Sequence, residues 1–420
     1  MANLTKWLKQ TLCLLNLTDS MKQPSGFTRL GFSKEERLSH EAFRQIASEL
    51  GLKTWEDEVG NQWALWEADP SAPTIGMGSH LDTVVEGGGY DGVAGIACGL
   101  GAIRKLKRKN IKLQKNIAVI CFISEESARF GISTIGSKTV VGDVDKQTWE
   151  KVTDKDHVTI RQAMEAYGIN WNTFEKAYCE KSRLESFLEL HIEQGSYLYN
   201  HQKDIGIVRG IATPIRLQVT AYGQSNHTGT THMGERKDAF VAISPLVDFV
   251  YKKATEINKT SAEPLMATVS TVNISPNMMN VIPGQVELGI DIRSVDDELK
   301  RQFANTVIGH SKQLGKKYDV EVTVDVLVDE PSVMLDETIR NKLVTTCEEL
   351  GTNISYDTMN SGAGHDVMNI AKRWPSGLIF IPSVNGMSHH PDEFTPIHYL
   401  EIGVSVLAKY LEREAGDTIQ

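Results

Sequence analysis

Short apolar runs that alternate with a helical segment constrain the fold of this chain more than any other feature. Residues 74–79 are typical of a buried strand that ends at His80, residues 93–108 of a helix, and residues 116–124 of a second buried strand. The order strand, helix, strand is typical of a parallel sheet with helices on its faces. The sequence therefore predicts an α/β fold whose central sheet is largely parallel and flanked by helices.

The residue pattern changes after about residue 210, where apolar and polar residues begin to alternate. Alternation indicates strands that have one covered face and one solvated face. The alternating segments are 213–222, 267–275 and 285–293, a further β-rich segment is 321–328, and helical patterns fill 236–258 and 296–315. Beyond residue 330 the α/β pattern returns, with a strand at 378–381 and a closing helix at 398–412.

These changes predict two domains, which is also the expectation for a chain of 420 residues. The larger domain is discontinuous and comprises residues 1–210 and 330–420. The smaller domain, residues 211–329, is of the α+β class and is inserted into the larger one.

Composition excludes several classes of protein. A hydrophobic fraction of 40% and a charged fraction of 23% are ordinary globular values, which exclude a disordered or fibrous chain. The net charge is −10, and an acidic chain is poorly suited to bind nucleic acid or an anionic membrane surface. The longest apolar run, residues 117–123, is too short to span a bilayer. We therefore expect neither nucleic acid nor membrane as a partner.

The cysteines and the N-terminal segment indicate a cellular compartment. Five scattered cysteines without a C-x-x-C motif are typical of a reducing environment and argue against a disulfide framework or a structural zinc site. The first residues favour an amphipathic helix over a signal peptide, because no small-residue cleavage site follows their apolar stretch. We expect a cytoplasmic protein.

The glycine run at residues 87–92 matches the G-x-G-x-x-G pattern of dinucleotide-binding loops. That pattern also requires an acidic residue about 20 positions further on, to bind the ribose. No Asp or Glu occurs between residues 93 and 124. We therefore interpret the run as a tight glycine turn that shapes a loop.

Histidine and carboxylate residues recur in five short segments at predicted strand ends or in loops. These segments are Ser79–Thr83, Tyr90–Gly92, Ser124–Ser127, Leu190–Gly195 and Met387–Asp392. Imidazole and carboxylate ligands suit zinc, manganese or cobalt. Two ions that lie close together require a bridging carboxylate and further ligands on each side. The five segments are sufficient for such a site.

The adjacent pair Glu125 and Glu126 is the most informative part of this pattern. Two neighbouring carboxylates repel each other, so a buried pair requires a cation or a proton between them. One Glu of the pair could bind metal while the other moves a proton. Asp82 could hold the outer ring nitrogen of His80, since metal-bound histidines usually have such a partner. A serine hydrolase is disfavoured, because the chain has no G-x-S-x-G motif.

Several motifs together resemble the M20 metallopeptidase superfamily over nearly the whole chain, from about residue 25 to residue 405. The motifs are Gly78–Thr83, Gly89–Gly92, Glu125–Glu126, His191–Gly195, Gly229–Thr231, Asn280–Gly284, Asp291–Arg293, Gly362–Asp366 and Ser388–His389. The segment His191–Gly195 narrows the resemblance to the amidase branch, which contains N-carbamoyl-L-amino acid hydrolases, allantoate amidohydrolases and β-ureidopropionases. This branch has a catalytic α/β domain with an inserted lid domain that dimerises.

The resemblance implies a role for each matched residue in the catalytic machinery. It implies two divalent metal ions per subunit (Zn, Mn or Co), bound by His80, Asp91, Glu126, His191 and His389, with Asp91 as the bridge. The family spacing Ser-His-x-Pro selects His389 over its neighbour His390. Glu125 is implied as the general base, Asp82 as the residue that orients His80, and His227 as a group that stabilises the oxyanion from the partner subunit of a homodimer.

The resemblance also implies where the substrate binds. Gln194, Asn280 and Arg293 match substrate-binding positions, and the planar fork of Arg293 is suited to grip a carboxylate. Gly364 and His365 lie in a glycine-rich loop that suggests contact with the substrate. The implied substrate is a small ureido compound that bears a carboxylate.

The function that these features favour is hydrolysis of the ureido C–N bond of N-carbamoyl-L-amino acids. Allantoate amidohydrolase and β-ureidopropionase are the alternatives within the branch. A dipeptidase or aminopeptidase of the wider superfamily is a more distant alternative. A binding protein without turnover is disfavoured, since binding alone has no use for a free base beside the metal ligands.

Overall fold

The computed structural model describes residues 2–180, 183–351 and 354–416. These residues divide into two compact units. The larger unit comprises the described parts of Met1–Arg209, Leu335–Ser361 and His365–Gln420, and the smaller unit comprises Gly210–Met334 and Gly362–Gly364. The assignment of residues 211–329 as a lid that dimerises stays a prediction.

The strands are numbered in chain order. They are β1 (Lys53–Glu56), β2 (Gln62–Trp66), β3 (Thr74–His80), β4 (Asn116–Phe122), β5 (Ser186–Ile192), β6 (Ile205–Ile211), β7 (Pro214–Tyr222), β8 (Met266–Ser275), β9 (Gln285–Arg293), β10 (Glu321–Asp329), β11 (Val333–Met334), β12 (Tyr356–Ser361) and β13 (Ser376–Ile381).

The α-helices follow the same numbering. They are α1 (Ala2–Leu15), α2 (Lys34–Glu49), α3 (Val93–Arg108), α4 (Ile135–Val141), α5 (Lys146–Trp149), α6 (Ile160–Tyr167), α7 (Tyr197–Asn200), α8 (Ala239–Ile243), α9 (Pro245–Ile257), α10 (Asp297–Tyr318), α11 (Glu337–Glu349), α12 (Asp366–Ile370) and α13 (Ile397–Ala415). In the described residues, no helix combines the length and the apolar character that a membrane span requires.

The larger unit is built on one sheet with strand order β1-β2-β4-β3-β5-β13-β6, and β12 also pairs with β6. The four central strands are parallel, because β3 pairs in parallel with β4 and β5, and β13 pairs in parallel with β5. Both β4 and β5 are buried along their whole length, and in β4 this burial explains the continuous apolar run at residues 117–122. Helices α1, α3 and α13 pack together against this sheet. The predicted α/β fold class is confirmed.

The smaller unit contains an antiparallel sheet with strand order β10-β7-β9-β8. Buried and half-buried residues alternate along β9, as expected for a sheet that is covered on one face. The covering helices α8, α9 and α10 contribute Ile243, Leu246 and Phe303, respectively, to the core beneath them.

The helical pattern over residues 236–258 corresponds to two helices of the smaller unit. These are α8 and α9, which Ser244 separates. Pro245 is the first residue of α9. Proline has no N–H to continue a helix and clashes with the preceding turn, so it is tolerated only at the start.

His40 predicts an acid sensitivity of the larger unit. Its ring is fully buried, and burial, reinforced by Arg37 and Arg44, lowers the pKa of His40 to about 3. The unfolded chain therefore takes up a proton below about pH 6.5 that the folded chain does not. The contribution of the neutral, buried His40 to the free energy of unfolding is complete above pH 6.5. It is lost as the pH falls toward 3.

Replacement of His40 by Gln should remove this sensitivity. Between pH 6.5 and pH 5 the free energy of unfolding of the wild-type chain should fall by about 2 kcal/mol, because one proton changes it by about 1.36 kcal/mol per pH unit. The variant should not show this decrease. Thermal unfolding at pH 7 and pH 5 measures the difference. The exposed His232 provides the control variant His232→Gln, which should behave as wild type. An equal loss of Tm in all three proteins would contradict the assignment to His40.

Candidate active site

The four central strands bring most of the predicted metal ligands to one edge of the sheet. His80 is the last residue of β3, His191 is the penultimate residue of β5, Glu126 follows β4, and His389 follows β13. These strands are adjacent and parallel, so their carboxyl ends share an edge, which is where open α/β sheets usually bind ligands. Asp91 joins them from the loop that precedes α3.

Two groups of side chains at this edge could each hold a metal ion. One group is His80, Asp91 and His191, and the other is Asp91, Glu126 and His389, with ligand atoms within 4.8 Å of one another in each group. Asp91 Oδ1 lies 3.4 Å from His80 Nε2 and 3.0 Å from His191 Nε2. Asp91 Oδ2 lies 3.4 Å from His389 Nε2, which is itself 3.3 Å from Glu126 Oε1. Asp91 thus offers one oxygen to each group.

The hydrogen bonds of His191 test whether a cation fits between these groups. Its Nδ1 lies 2.9 Å from the carbonyl oxygen of Ile192, which can only accept, so Nδ1 carries a proton. The main-chain N–H of Gly92 donates to His191 Nε2 at 3.1 Å, so this nitrogen presents a lone pair. Asp91 Oδ1 lies 3.0 Å from the same nitrogen, so a proton or a cation must lie between these two acceptors. A divalent cation satisfies both, and His/carboxylate ligands are the chemistry that zinc and manganese prefer.

Electrostatics keeps the shared carboxylate charged. Burial alone would raise the pKa of Asp91, but the imidazoles of His191, His389 and His80 hold that pKa well below its ordinary value. The carboxylate is therefore available as an anionic bridge throughout the neutral pH range.

Asp82 organises the residues around the metal ligands. It is fully buried, and its two carboxylate oxygens accept the main-chain N–H groups of Glu125 and Glu126 at 3.0 and 2.9 Å. His80 Nδ1 lies 3.1 Å from the main-chain carbonyl oxygen of Asp82 and 3.4 Å from Oδ1. Asp82 therefore orients His80 chiefly through its main chain and uses its carboxylate to fix the Glu125–Glu126 turn.

Glu125 belongs to neither group of ligands. It is buried, and this burial raises its pKa well above the ordinary value of a carboxyl; the His80 imidazole opposes the shift and the Glu126 carboxylate adds to it. A carboxyl group with a raised pKa that lies beside metal ligands is suited to accept a proton and to return it.

The backbone is in a rare conformation at three positions of the site. Ser124, Gln194 and His389 have φ angles of 51°, 58° and 56°. Residues other than glycine seldom adopt this left-handed region, and each instance costs about 1–3 kcal/mol.

Gln194 Nε2 donates to Asp91 Oδ2 at 2.7 Å and lies 3.4 Å from His389 Nε2. In this structure Gln194, which is a predicted substrate-binding residue, contacts the bridging carboxylate.

His365 packs against His191, one of the candidate ligands. Their ring centroids are 4.5 Å apart, and His365 Nε2 lies 3.2 Å from Ser361 Oγ. Burial, with the nearby His191, lowers the pKa of His365 well below its ordinary value, so the ring is neutral. Gly364 precedes it and belongs to the smaller unit. A contact of either residue with substrate stays a prediction.

The other predicted residues lie in the smaller unit. His227 and Asn280 are exposed neighbours, because the N–H of Thr228 donates to the carbonyl oxygen of Asn280 at 3.1 Å. Arg293 donates through Nε to Asp291 Oδ1 at 2.7 Å and through Nη1 to the carbonyl oxygen of Gly362 at 2.7 Å. Arg293 is therefore held in one orientation and is only partly buried.

Sequence reasoning missed one residue of this site, Glu393. Only 5% of its surface is exposed, and its carboxylate accepts the main-chain N–H of Asp91 at 3.0 Å. The preceding residues, from His389 to Asp392, are two histidines, a proline and an aspartate, a composition that resembles an exposed loop. No local pattern distinguishes Glu393 from them.

Comparisons with known proteins show the family to which this chain belongs. The model of the peptidase family M20/M25/M40 matches residues 76–413. The chain belongs to this family. It is a hydrolase of a metal-dependent family, and its structure provides candidate metal-binding groups.

Two relatives and one solved structure are close over nearly the full length. Allantoate amidohydrolase of Bacillus subtilis is 34% identical over 93% of this chain and 93% of its own length. N-carbamoyl-L-amino acid amidohydrolase of Geobacillus stearothermophilus is 31% identical over 94% of this chain and 95% of its own. The crystal structure of an amidase of the hydantoinase/carbamoylase family from Burkholderia multivorans superposes with a TM-score of 0.88, at 26% identity, over 99% and 98% of the two chains. The predicted resemblance to the amidase branch is confirmed.

Proposed function

We propose that this enzyme hydrolyses the ureido C–N bond of N-carbamoyl-L-amino acids to the amino acid, ammonia and carbon dioxide. Its substrates contain carbon–nitrogen bonds other than peptide bonds, as do those named for its relatives. The observation that carries the proposal is the pair of ligand groups that share Asp91, with Glu125 outside both. Such a pair suits two divalent ions and leaves one carboxyl group free for proton transfer.

The chain's own residues supply the proton transfers. Divalent ions held by the two ligand groups would act as Lewis acids that polarise a carbonyl group and lower the pKa of bound water to about 7. Glu125 accepts the proton of the attacking water and returns it to the leaving nitrogen. His227 stabilises the negative charge that develops on the carbamoyl oxygen. The Asp82 carboxylate keeps Glu125 in place because it accepts a hydrogen bond from the main-chain N–H of Glu125.

Arg293 is the residue that we assign to the substrate carboxylate. Asp291 accepts from Nε and Nη2, the carbonyl of Gly362 accepts from Nη1, and one N–H of each terminal nitrogen remains available. An oriented fork of this kind binds a carboxylate through two parallel hydrogen bonds. Asn280 and Gln194 are assigned to other polar groups of the substrate, and Gly364 and His365 to the loop that lines it.

Replacement of Arg293 by Ala should raise KM by about 10- to 100-fold, since hydrogen bonds to a charged group contribute about 1.5–3 kcal/mol. The matched control is Arg216→Ala, because Arg216 also pairs with Asp291, at 2.9 Å, and is half exposed. Steady-state kinetics with an N-carbamoyl amino acid and with its uncharged amide measure the effect. An equal loss for both substrates would contradict the assignment of Arg293 to the carboxylate.

Allantoate hydrolysis is the second candidate function. The observation in its favour is the slightly higher identity of the allantoate amidohydrolase relative, 34% against 31%. Allantoate also carries ureido groups and a carboxylate, so the same ligand groups and Arg293 could serve it. β-Ureidopropionase activity and cleavage of dipeptides are weaker alternatives.

Ammonia release by metal-loaded protein distinguishes these functions. The panel contains N-carbamoyl-L-amino acids, their D-enantiomers, N-carbamoyl-β-alanine, allantoate and several dipeptides, each with and without a chelator. Chelator-sensitive release that is largest for an N-carbamoyl-L-amino acid is the expected result. Release from allantoate alone would favour the second candidate. Cleavage of dipeptides without ammonia release would contradict both.

We also propose that the enzyme is a homodimer and that the smaller unit forms the contact. Strand β8 is an edge strand of its sheet and is largely exposed, with Met266 65% and Val272 49% accessible. A long exposed edge strand with apolar side chains is a frequent site of pairing with another chain. His227 would then act from the partner subunit. Light scattering after gel filtration measures the mass, and a charged substitution, Val272→Lys, should yield monomers that have lost most activity.

A further inference from the structure

The Glu393 carboxylate joins the two loops that carry the bridging and terminal metal ligands. Its Oε1 accepts the main-chain N–H groups of Tyr90 and Asp91 at 2.8 and 3.0 Å. Its Oε2 lies 3.0 Å from the hydroxyl of Ser388, the residue before His389. One buried side chain therefore holds the backbone of the bridge and the residue that precedes the last ligand.

Ser388 extends this connection to the bridging carboxylate. Its hydroxyl lies 2.8 Å from Asp91 Oδ2, the oxygen that faces His389. Glu393 thus constrains Asp91 twice, directly at the main chain and through Ser388 at the side chain. Both contacts fix the direction in which the two oxygens of Asp91 point toward their separate ligand groups.

The glycine run before Asp91 is explained by the same side chain. A Cβ atom on Gly88 would lie 2.1 Å from both Cδ and Oε1 of Glu393. No residue with a side chain can therefore stand at position 88 while Glu393 keeps its place. The run that resembles a dinucleotide-binding loop instead makes room for a carboxylate against the backbone.

We propose that Glu393 is a positioning residue that holds the Asp91 and His389 loops in the arrangement required to bind two metal ions. This inference rests on the proposed metal-dependent function. Because a glutamine side chain has the same shape, its carbonyl oxygen can accept from Tyr90 and Asp91 while its NH₂ group donates to Ser388. The Glu393→Gln variant should therefore preserve the clamp, and Glu393→Ala should remove it.

The test measures Zn²⁺ affinity of the full chain by competition with a chromogenic chelator, independently of turnover. Residues that support metal ligands typically change affinity by about 10- to 100-fold when replaced, so E393A should bind Zn²⁺ that much more weakly. The Zn²⁺ affinity of E393Q should stay within about threefold of the wild-type value, because the supporting hydrogen bonds are kept. Gly88→Ala keeps the carboxylate but displaces it, so it should behave like E393A. The control is Asp392→Asn, which alters an adjacent carboxylate that is 78% exposed.

The outcomes separate this inference from the function on which it rests. Wild-type protein that binds no Zn²⁺ would overturn the proposed function itself. Wild-type protein that binds Zn²⁺ while E393A and G88A bind equally tightly would overturn only the role of Glu393. Weak binding by E393Q, equal to that of E393A, would also overturn it, because the amide retains all three hydrogen bonds. If E393A does not fold, G88A and E393Q still give the comparison.

Discussion

Replacement of Glu125 by Gln is expected to lower kcat by about 10²- to 10⁴-fold, the usual contribution of a general base, and to leave the metal content unchanged. Glu125 lies in neither ligand group, so the amide removes the proton acceptor without removing a ligand. Its main-chain N–H, which donates to Asp82 at 3.0 Å, is not altered by the substitution. Metal analysis and steady-state kinetics on the same preparation measure both quantities.

The neighbouring Glu126 provides the matched control. Its Oε1 lies 3.3 Å from His389 Nε2, and it belongs to the second ligand group. Glu126→Gln should therefore lose metal as well as activity. If E125Q loses metal and E126Q does not, the assignment of the two roles is reversed. If E125Q retains full activity, another group accepts the proton.

The sequence sufficed to predict β3, β4 and β13 because the burial of a strand is reflected in its apolar residues. β4 is buried along its length, and its residues 117–122 are correspondingly apolar without interruption. Polar residues shortly after such a run, as at Glu125, are conspicuous because the run itself has none. The left-handed backbone at Ser124 and His389 has no comparable trace, because it is imposed by the surrounding structure.

The order of strands in the sheet could not be predicted in the same way. β13 lies beside β5 although about 190 residues separate the paired positions in the chain. Nothing in the sequence of either segment specifies the other as its neighbour. The proximity of His191 and His389 therefore came from the family resemblance and not from the pattern.

Glu393 shows the limit of pattern reasoning most clearly. Its neighbour Asp392 is 78% exposed, whereas Glu393 is buried against the glycine run. A carboxylate can be buried when main-chain N–H groups donate hydrogen bonds to it. The donors to Glu393 are Tyr90 and Asp91, which lie about 300 residues away in the chain. Sequence-based expectation for such a residue is exposure, and only tertiary structure reverses it.

Removal of the Asp91 side chain should have the widest effect on metal content, because its two oxygens face different ligand groups. Asp91→Ala is expected to reduce bound metal from about two ions per chain to fewer than one, since a two-metal site depends on its bridging ligand. His389→Ala should lose about one ion, because only the group with Glu126 contains His389. Metal analysis after dialysis against a weak chelator counts the ions.

Activity should follow the same order. Metal ions contribute several kcal/mol to stabilisation of transition-state charge, so Asp91→Ala should lower kcat by at least about 10³-fold. A wild-type chain that retains about one ion, with His389→Ala unchanged in metal content, would show that only the His80, Asp91 and His191 group binds metal. The bridging role of Asp91 would then fail, while hydrolysis with a single ion and Glu125 as base would remain.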